Sequence, residues 1–281
     1  MNLWFTEEQT PNINLSCRVK DVLWDKQSAF QKITVINTIS FGRMLILDGY
    51  IQTSEKDGYI YHEMIVHVPM VTHPSPRKVL IIGGGDGGAV REAARHPYVE
   101  QVTLVEIDPE VVEASRRYLP ETSSALTDRR VEICYEDGVK FLRNPEGRYD
   151  IIIIDSNEPE GPSAGLFSKE FYRRAYDALS EEGILVAQTE SPFFNDELIM
   201  RSFTYFHELF PITELYLAPI PSYPSGLWSF TLGSKKHHPG DPLARERAAH
   251  IGGCRYYSPE IHESAFVLPP FVKGLLPRLQ K

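Results

Sequence analysis

From Lys78 onward the apolar positions fall into short unbroken runs, separated by stretches with helical spacing. The runs are Lys78–Ile82, Val102–Ile107, Val131–Tyr135, Asp150–Asp155 and Gly183–Gln188, with later ones at Glu214–Leu217 and Trp228–Leu232. Apolar residues recur every three or four positions over Glu110–Tyr118, Lys169–Leu179 and Asp196–Leu209, which predicts helices there. Ile151, Ile152, Ile153 and Ile154 form the β-branched run of a central strand buried on both faces. Strands alternating with helices predict an α/β chain with a doubly wound parallel sheet, which binds ligands beyond the carboxyl ends of its strands.

Before Lys78 the period is two. Ser16–Trp24 alternates loosely, and Ala29–Asn37 alternates well through Phe30, Ile33 and Val35. Arg43–Leu47 runs into Asp48-Gly49, a strong hairpin signal, and Tyr50–Ser54 is the returning strand. Gly58–Met70 turns helical, with Ile60, Met64 and Val68 on one side. His73-Pro74-Ser75-Pro76 then breaks the chain. The expected division is a small N-terminal antiparallel β domain over residues 1–73 and a larger α/β domain over residues 74–281.

Composition narrows the class. The formal net charge of −9 argues against nucleic acid, whose phosphates need clustered Lys and Arg. The one basic cluster, Lys235-Lys236-His237-His238, leads into Pro239-Gly240-Asp241-Pro242 and reads as a solvated loop. No apolar run reaches the roughly 18 residues of a membrane span, and the first residues lack the pattern of a signal peptide. Cys17, Cys134 and Cys254 are odd in number and never paired as C-x-x-C, which fits reduced thiols in a cytoplasm. The His spacing suggests no metal ligand set.

The chemistry concentrates at the predicted strand ends. Gly83-Gly84-Gly85-Asp86-Gly87-Gly88 follows the first strand of the sheet with G-x-G-x-x-G spacing, a turn that exposes bare backbone to a ligand. A phosphate would be repelled by Asp86, so the turn suits a ligand that presents a cation. Glu106 ends the next strand, about 20 residues past the glycines, where such folds place an acid on ribose hydroxyls. Asp137 with Gly138 follows the third strand and can face the exocyclic amine of an adenine. Asp155 ends the fourth, and Glu158 follows three positions later in a Gly/Pro-rich loop able to fold over a ligand. Any one of these acids serves equally as a helix cap. Together they imply an adenosine with a cationic tail, beside a paired acid that attracts a primary ammonium and then takes its proton.

These motifs in order resemble the spermidine synthase family of polyamine aminopropyltransferases. The resemblance runs almost end to end: Gln31, Leu47-Asp48-Gly49, Tyr61-His62-Glu63-Met64, the Gly83–Gly88 turn with Arg91-Glu92, Glu106-Ile107-Asp108, Glu136-Asp137-Gly138, Asp155-Ser156, Gln188 and Pro221-Ser222-Tyr223-Pro224-Ser225-Gly226. It implies a Rossmann-like sheet of the nucleoside-binding methyltransferase type. It also implies transfer of an aminopropyl group from decarboxylated S-adenosylmethionine to putrescine, giving spermidine and methylthioadenosine. The donor is then a co-substrate, and no cofactor or metal is expected. Gln31, His62, Asp86, Glu106, Asp137, Gly138 and Pro162 would bind the donor. Asp155 would accept the proton, and Tyr61, Asp155, Glu158, Gln188 and Tyr223 would hold the acceptor amine. A homodimer or homotetramer is implied, with small-molecule partners only.

Three positions depart from the family pattern. Glu158 stands where Asp is frequent, Glu160 where an apolar residue is common, and Gly58 where an acid usually precedes Tyr61 by three. The reading that retains putrescine takes them as drift; agmatine, cadaverine or a longer polyamine would make them specificity positions. A methyltransferase would share the nucleoside half but needs a group for its cofactor's carboxylate, which Asp86 is not. A non-catalytic nucleoside-binding protein would have little use for both Asp86 and Asp155. Trp228 is expected in the core.

Overall fold

The chain folds as two sheets, seen in a computed structural model that describes residues 3–143, 149–157 and 161–276. The first sheet is an antiparallel meander of β1 (Leu3–Thr10), β2 (Ile13–Gln27), β3 (Lys32–Thr38), β4 (Gly42–Leu47) and β5 (Tyr50–Ser54), in that spatial order. Its alternation sends Ile33, Val35, Leu45 and Leu47 to one face and Val19, Ile36, Met44 and Ile46 to the other. Helix α1 (Gly58–Thr72) follows, buried along nearly its whole length.

The remaining elements are β6 (Lys78–Gly83), α2 (Gly88–Ala94), β7 (Gln101–Glu106), α3 (Pro109–Tyr118), α4 (Pro120–Ser123), β8 (Val131–Tyr135), α5 (Gly138–Phe141), β9 (Tyr149–Asp155), α6 (Lys169–Ala178), β10 (Leu179–Gln188), α7 (Asp196–Leu209), β11 (Ile212–Pro219) and β12 (Leu227–Ser234). Short helices α8 (Pro242–Ala248), α9 (Pro259–Ala265) and α10 (Pro270–Leu275) close the chain. The seven strands lie in the order β11-β12-β10-β9-β6-β7-β8. They are parallel from β8 to β10, while β12 runs antiparallel to both β10 and β11. The sheet is therefore Rossmann-like and doubly wound, as the alternation predicts.

The four-isoleucine run occupies the central strand β9. Ile151 and Ile153 pack with Met64, Ile65 and Val90 on the side of α1 and α2. Ile152 and Ile154 pack with Phe171 and Phe206 on the side of α6 and α7. Because β6 pairs with β7 on one edge and β9 on the other, strand order reverses around β6. Ligand crevices open at such a reversal. Here the register sets Gly83 opposite Asp155, so the glycine turn and that acid emerge side by side.

The two sheets are joined through α3. Val111, Ala114 and Leu119 pack into the Ile33, Val35, Leu45 and Leu47 face of the first sheet. Asp108 caps α3 by accepting from Glu110 N at 3.0 Å, and also accepts from Ser28 Oγ at 2.6 Å and Gln31 Nε2 at 3.1 Å. Among the described residues no helix is long and apolar enough to cross a membrane.

Several boundaries differ from the spacing. Strand β1 carries an acid at its one fully buried position, Glu7, whose Oε1 accepts from Ile51 N at 2.7 Å, and that acid hides the strand's inward face. Phe30 lies outside β3 and is exposed, so the alternating segment starts at Lys32 and not Ala29. Leu179 opens β10 instead of closing α6; it pairs with Tyr149, and the register then slips before Ile184. Proline-led α8, α9 and α10 have too few residues to show a helical period, although Asp241 and Ser258 cap the first two.

Ile153→Ala opens a cavity at a fully buried position of the central strand. The expected loss is about 2–5 kcal/mol, read as a lowered midpoint in urea unfolding. A midpoint within error of the parent would mean that β9 is not the packing centre.

Candidate active site

The first sheet leans over the carboxyl ends of β6, β7 and β9, and two adjoining cavities open between them. They enclose about 610 and 1130 Å³ including their mouths, and share Leu47, Glu106, Ser156 and Asn157 as a common wall. The smaller is acidic, lined by Asp86, Glu106, Asp155 and Glu190 with Tyr61 and His62. The larger runs past Phe30, Gln31, Ile82, Asp137 and Gly138.

Bare backbone makes the approach of turn and acids possible. Gly83 and Gly84 have φ of 82° and 71°. A Cβ on Gly84 would sit 2.4 Å from Asp155 Oδ2, and one on Gly83 2.0 Å from the Asp155 carbonyl oxygen. A Cβ on Gly88 would lie 2.2 Å from the His62 ring. The glycines thus make room for side chains of the protein itself.

Helix α1 brings three consecutive side chains into use. Tyr61 Oη donates to Asp155 Oδ1 at 2.6 Å. His62 Nε2 lies 2.9 Å from Asp86 Oδ2. Glu63 turns to the far side and accepts the backbone N–H groups of Arg255, Tyr256 and Tyr257, each at 2.8 Å. Asp86 also accepts from Gly88 N at 3.0 Å. Burial works against its charge, but the imidazole outweighs burial and holds this carboxyl below the usual range. Burial likewise opposes the imidazolium, and Asp86 outweighs it, so His62 is raised.

Asp155 is the reverse case. Burial, then the charge of Asp86, pushes it up to about 6, against the opposing pull of His62 and Tyr61. Its Oδ2 is enclosed with no hydrogen-bond partner among the described residues. An acid near neutrality with an open acceptor atom is suited to take a proton. Glu106 is pushed up to about 7 by burial, although Gly85 N and Asp108 N both donate to it, at 3.1 and 2.9 Å.

The structure brings most of the sequence-derived residues together. Tyr61, His62, Asp86, Glu106, Asp155, Gln188 and Tyr223 line the acidic cavity, and Gln31, Asp137 and Gly138 line the larger one. One oxygen of Asp137 caps α5, accepting from Val139 N at 2.8 Å. Gln31 bridges the wall, taking a 3.3 Å bond from Asn157 Nδ2 while donating to Asp108. Tyr223 Oη donates to the Gln52 carbonyl. Trp228 is core, as expected, and yet its face also lines the acidic cavity. Glu158 and Glu160 lie outside the described residues, and of Pro162 only its place in the turn Gly161–Phe167 is described. Gly58 lines neither cavity: a Cβ there would meet Thr53 Oγ1 at 2.2 Å. The Lys236 and His237 side chains pair with Glu182, and His238 pairs with Glu214, as a solvated loop would.

Glu190 is the acid that sequence reasoning missed. It sits two residues beyond the end of β10 with φ of 68°, is buried, and lines the acidic cavity. Gln188 holds it on both sides, donating from Nε2 to Glu190 Oε1 at 3.1 Å and accepting from Glu190 N at 3.0 Å. The signal was the same as for the other acids, a carboxylate just past a parallel strand.

Comparisons with known proteins agree with this geometry. Residues 58–241 match the family model described as spermine/spermidine synthase domain, and residues 3–55 match the one described as spermidine synthase tetramerisation domain. A polyamine aminopropyltransferase of Moorella thermoacetica is 53% identical over 275 residues, which span 98% of this chain and 96% of that protein. A spermidine synthase crystallised with the transition-state analogue AdoDATO superposes with a TM-score of 0.95 at 42% identity, covering 98% of this chain and 94% of the other. The spermidine synthase of Thermotoga maritima superposes with a TM-score of 0.94 at 41% identity, with the same coverage.

The raised acid has a consequence for stability. Asp155 rises from an ordinary 3.8 to about 6 in the folded chain, so its contribution is fully present below pH 4 and is lost as pH rises through 6. Asp155→Asn removes that penalty and should raise stability at pH 8 by up to about 3 kcal/mol. The gain should fade by pH 4. Thermal unfolding of both proteins at the two pH values tests this, and an equal difference at both would exclude a strained carboxylate.

Proposed function

The chain belongs to the spermine/spermidine synthase family of polyamine aminopropyltransferases, and on that premise we propose that it moves the aminopropyl group of decarboxylated S-adenosylmethionine to putrescine, releasing spermidine and methylthioadenosine. The adenosine occupies the larger cavity, with Asp137 and Gly138 at the base and Glu106 at the ribose between the two cavities. Asp86 receives the terminal ammonium of the aminopropyl arm. The diamine enters the acidic cavity, held by Tyr61, Gln188 and Tyr223, with Glu190 adding its charge and Glu158 assigned to the same amine by the family resemblance.

The observation that carries the reading is the partnerless Oδ2 of buried Asp155, in the wall of a cavity where Asp86 is already paired with His62. Asp155 takes one proton from the attacking ammonium. The freed nitrogen lone pair forms a bond to the propyl carbon next to sulfur, the C–S bond breaks, and its electron pair stays on sulfur as methylthioadenosine leaves. The sulfonium supplies the leaving group, so the step calls for alignment and proton removal and for no further cofactor or metal. Asp86 also excludes intact S-adenosylmethionine, whose carboxylate would face it. The neighbour bound to AdoDATO supports a nucleoside and an amine meeting in one site.

The first sheet supports assembly. Strand β1 is an edge, and Leu3, Trp4, Ile13 and Val22 are exposed on β1 and β2. We propose that they pack between copies in a homodimer or homotetramer. Cys17, Cys134 and Cys254 form no disulfide among the described residues, which suits a reducing cytoplasm.

Methylthioadenosine release should be fastest with putrescine in a panel that includes cadaverine, agmatine and spermidine, and absent with intact S-adenosylmethionine. Another amine leading would keep the chemistry and replace the acceptor. Asp155→Asn should lower kcat at least 100-fold and leave methylthioadenosine affinity within about twofold. Asp86→Asn should weaken the decarboxylated donor more than methylthioadenosine, since only the donor carries the ammonium; equal weakening would make Asp86 structural. Trp4→Glu should reduce the particle mass in light scattering, and an unchanged mass would move the interface elsewhere.

A further inference from the structure

Asp57 stands at the N-cap position of α1 but does not cap it: no backbone N–H of that helix reaches its side chain. An Asp in this place ordinarily bonds the second or third amide of its own helix. Here the carboxylate is buried and turned toward the connection between β11 and β12. Oδ2 accepts from Ser222 N at 2.7 Å, and Oδ1 accepts from Ser222 Oγ at 3.0 Å and Ser54 Oγ at 2.5 Å. Three donors from two distant parts of the chain thus converge on one buried group.

Both ends of this bridge lead to the acidic cavity. Ser222 precedes Tyr223, whose hydroxyl donates to the Gln52 carbonyl on β5. Four residues after Asp57 comes Tyr61, whose ring lies 5.7 Å from that of Tyr223 and whose hydroxyl holds Asp155. Tyr223 also packs edge-on against Trp228, at 4.8 Å between centroids. Within the connection Ile220 N, Tyr223 N and Gly226 N are bonded to the loop's own carbonyls, and Ser225 and Gly226 have φ of 62° and 69°. Ser225 Oγ ties its far end to Ser191 Oγ at 2.7 Å, leaving Asp57 as the tie to the start of α1.

We propose that Asp57 is a positioning residue for the acceptor amine, locking the Tyr223 loop to the corner between β5 and α1 so that Tyr223 and Tyr61 flank the cavity at a fixed separation. The proposal rests on the acceptor reading of that cavity. It needs no contact between Asp57 and either substrate, and Asp57 lines neither cavity. Displacement of a positioning group by about 1 Å is enough to cost large factors in productive binding.

The test compares Asp57→Ala, Asp57→Asn and Ser222→Ala with the parent enzyme. Asp57→Ala strands the Ser222 amide, and KM for putrescine should rise at least 10-fold, with kcat falling less than threefold and methylthioadenosine affinity within twofold. The amide oxygen of Asp57→Asn still accepts from Ser222 N while its NH₂ meets the two hydroxyls, so it should recover most of the loss. Ser222→Ala keeps the backbone bond and should fall between them. Adding Tyr223→Phe to Asp57→Ala should raise KM no more than twofold further, because both act on one ring.

Hydrogen exchange over residues 220–226 should quicken in Asp57→Ala without any substrate present, and it reads the lock independently of turnover. An unchanged putrescine KM in Asp57→Ala, an equal loss of methylthioadenosine affinity, or multiplying effects with Tyr223→Phe would each overturn the proposal. If Asp57→Ala does not fold, unchanged exchange and KM in both Asp57→Asn and Ser222→Ala would do the same. A parent enzyme inactive with every amine would instead sink the reading of function, leaving exchange in the loop to decide whether Asp57 holds it.

Discussion

Negative charge confined in a crevice is the constraint on which the rest depends. Asp86, Glu106, Asp155 and Glu190 share the wall of one cavity, and the His62 imidazole lies 2.9 Å from the first of them. The protein relieves this unevenly. Asp86 receives the imidazole and a backbone amide and stays charged, while Asp155 and Glu106 are pushed toward neutrality. On the proposed reading, a polyamine or an aminopropyl arm would supply the missing positive charge. Binding energy and the ionisation of the base are then one electrostatic event, since each ammonium that enters favours the carboxylate form of its neighbours.

Division of the crevice follows from strand order. Reversal around β6 puts two neighbouring strand ends, those of β6 and β9, at the wall of one crevice. Acids line both sides of Glu106, with Asp48, Glu136 and Asp137 on the larger cavity and Asp86, Asp155 and Glu190 on the smaller. The small N-terminal sheet contributes to both: Gln31 reaches the nucleoside side, and the Gln52 carbonyl anchors Tyr223 on the amine side. A site so divided cannot be completed by either sheet alone.

Where the chain repeats a simple period, the sequence was easy to read. Ile151–Ile154 announced a central strand, and acids at successive strand ends announced the crevice. The failures have physical causes. Glu7 broke the alternation of β1 because its buried carboxylate is satisfied by a strand distant in sequence. Glu190 lies two residues past β10, as Asp137 lies past β8, but no glycine marks the turn that buries it, and its left-handed backbone is visible only in the folded chain. Asp57 stands where a helix cap would, and only the folded chain reveals that its partner is Ser222, 165 positions away. Likewise the departure at Gly58 invited a role in choosing the amine, whereas its missing Cβ faces Thr53.

Tyr61, His62 and Glu63 occupy one turn of α1 and point to Asp155, to Asp86 and to the amides at 255–257. Each added residue rotates a helix by about 100°. Insertion or deletion of a single residue within α1, before Tyr61, would therefore misdirect the base's partner, the donor's partner and the anchor of the C-terminal segment together. A change of length in the connection 235–241, which carries none of the three, would leave these contacts in place. The helix acts as a fixed ruler, and divergence in this enzyme must proceed by exchange of side chains rather than by change of spacing.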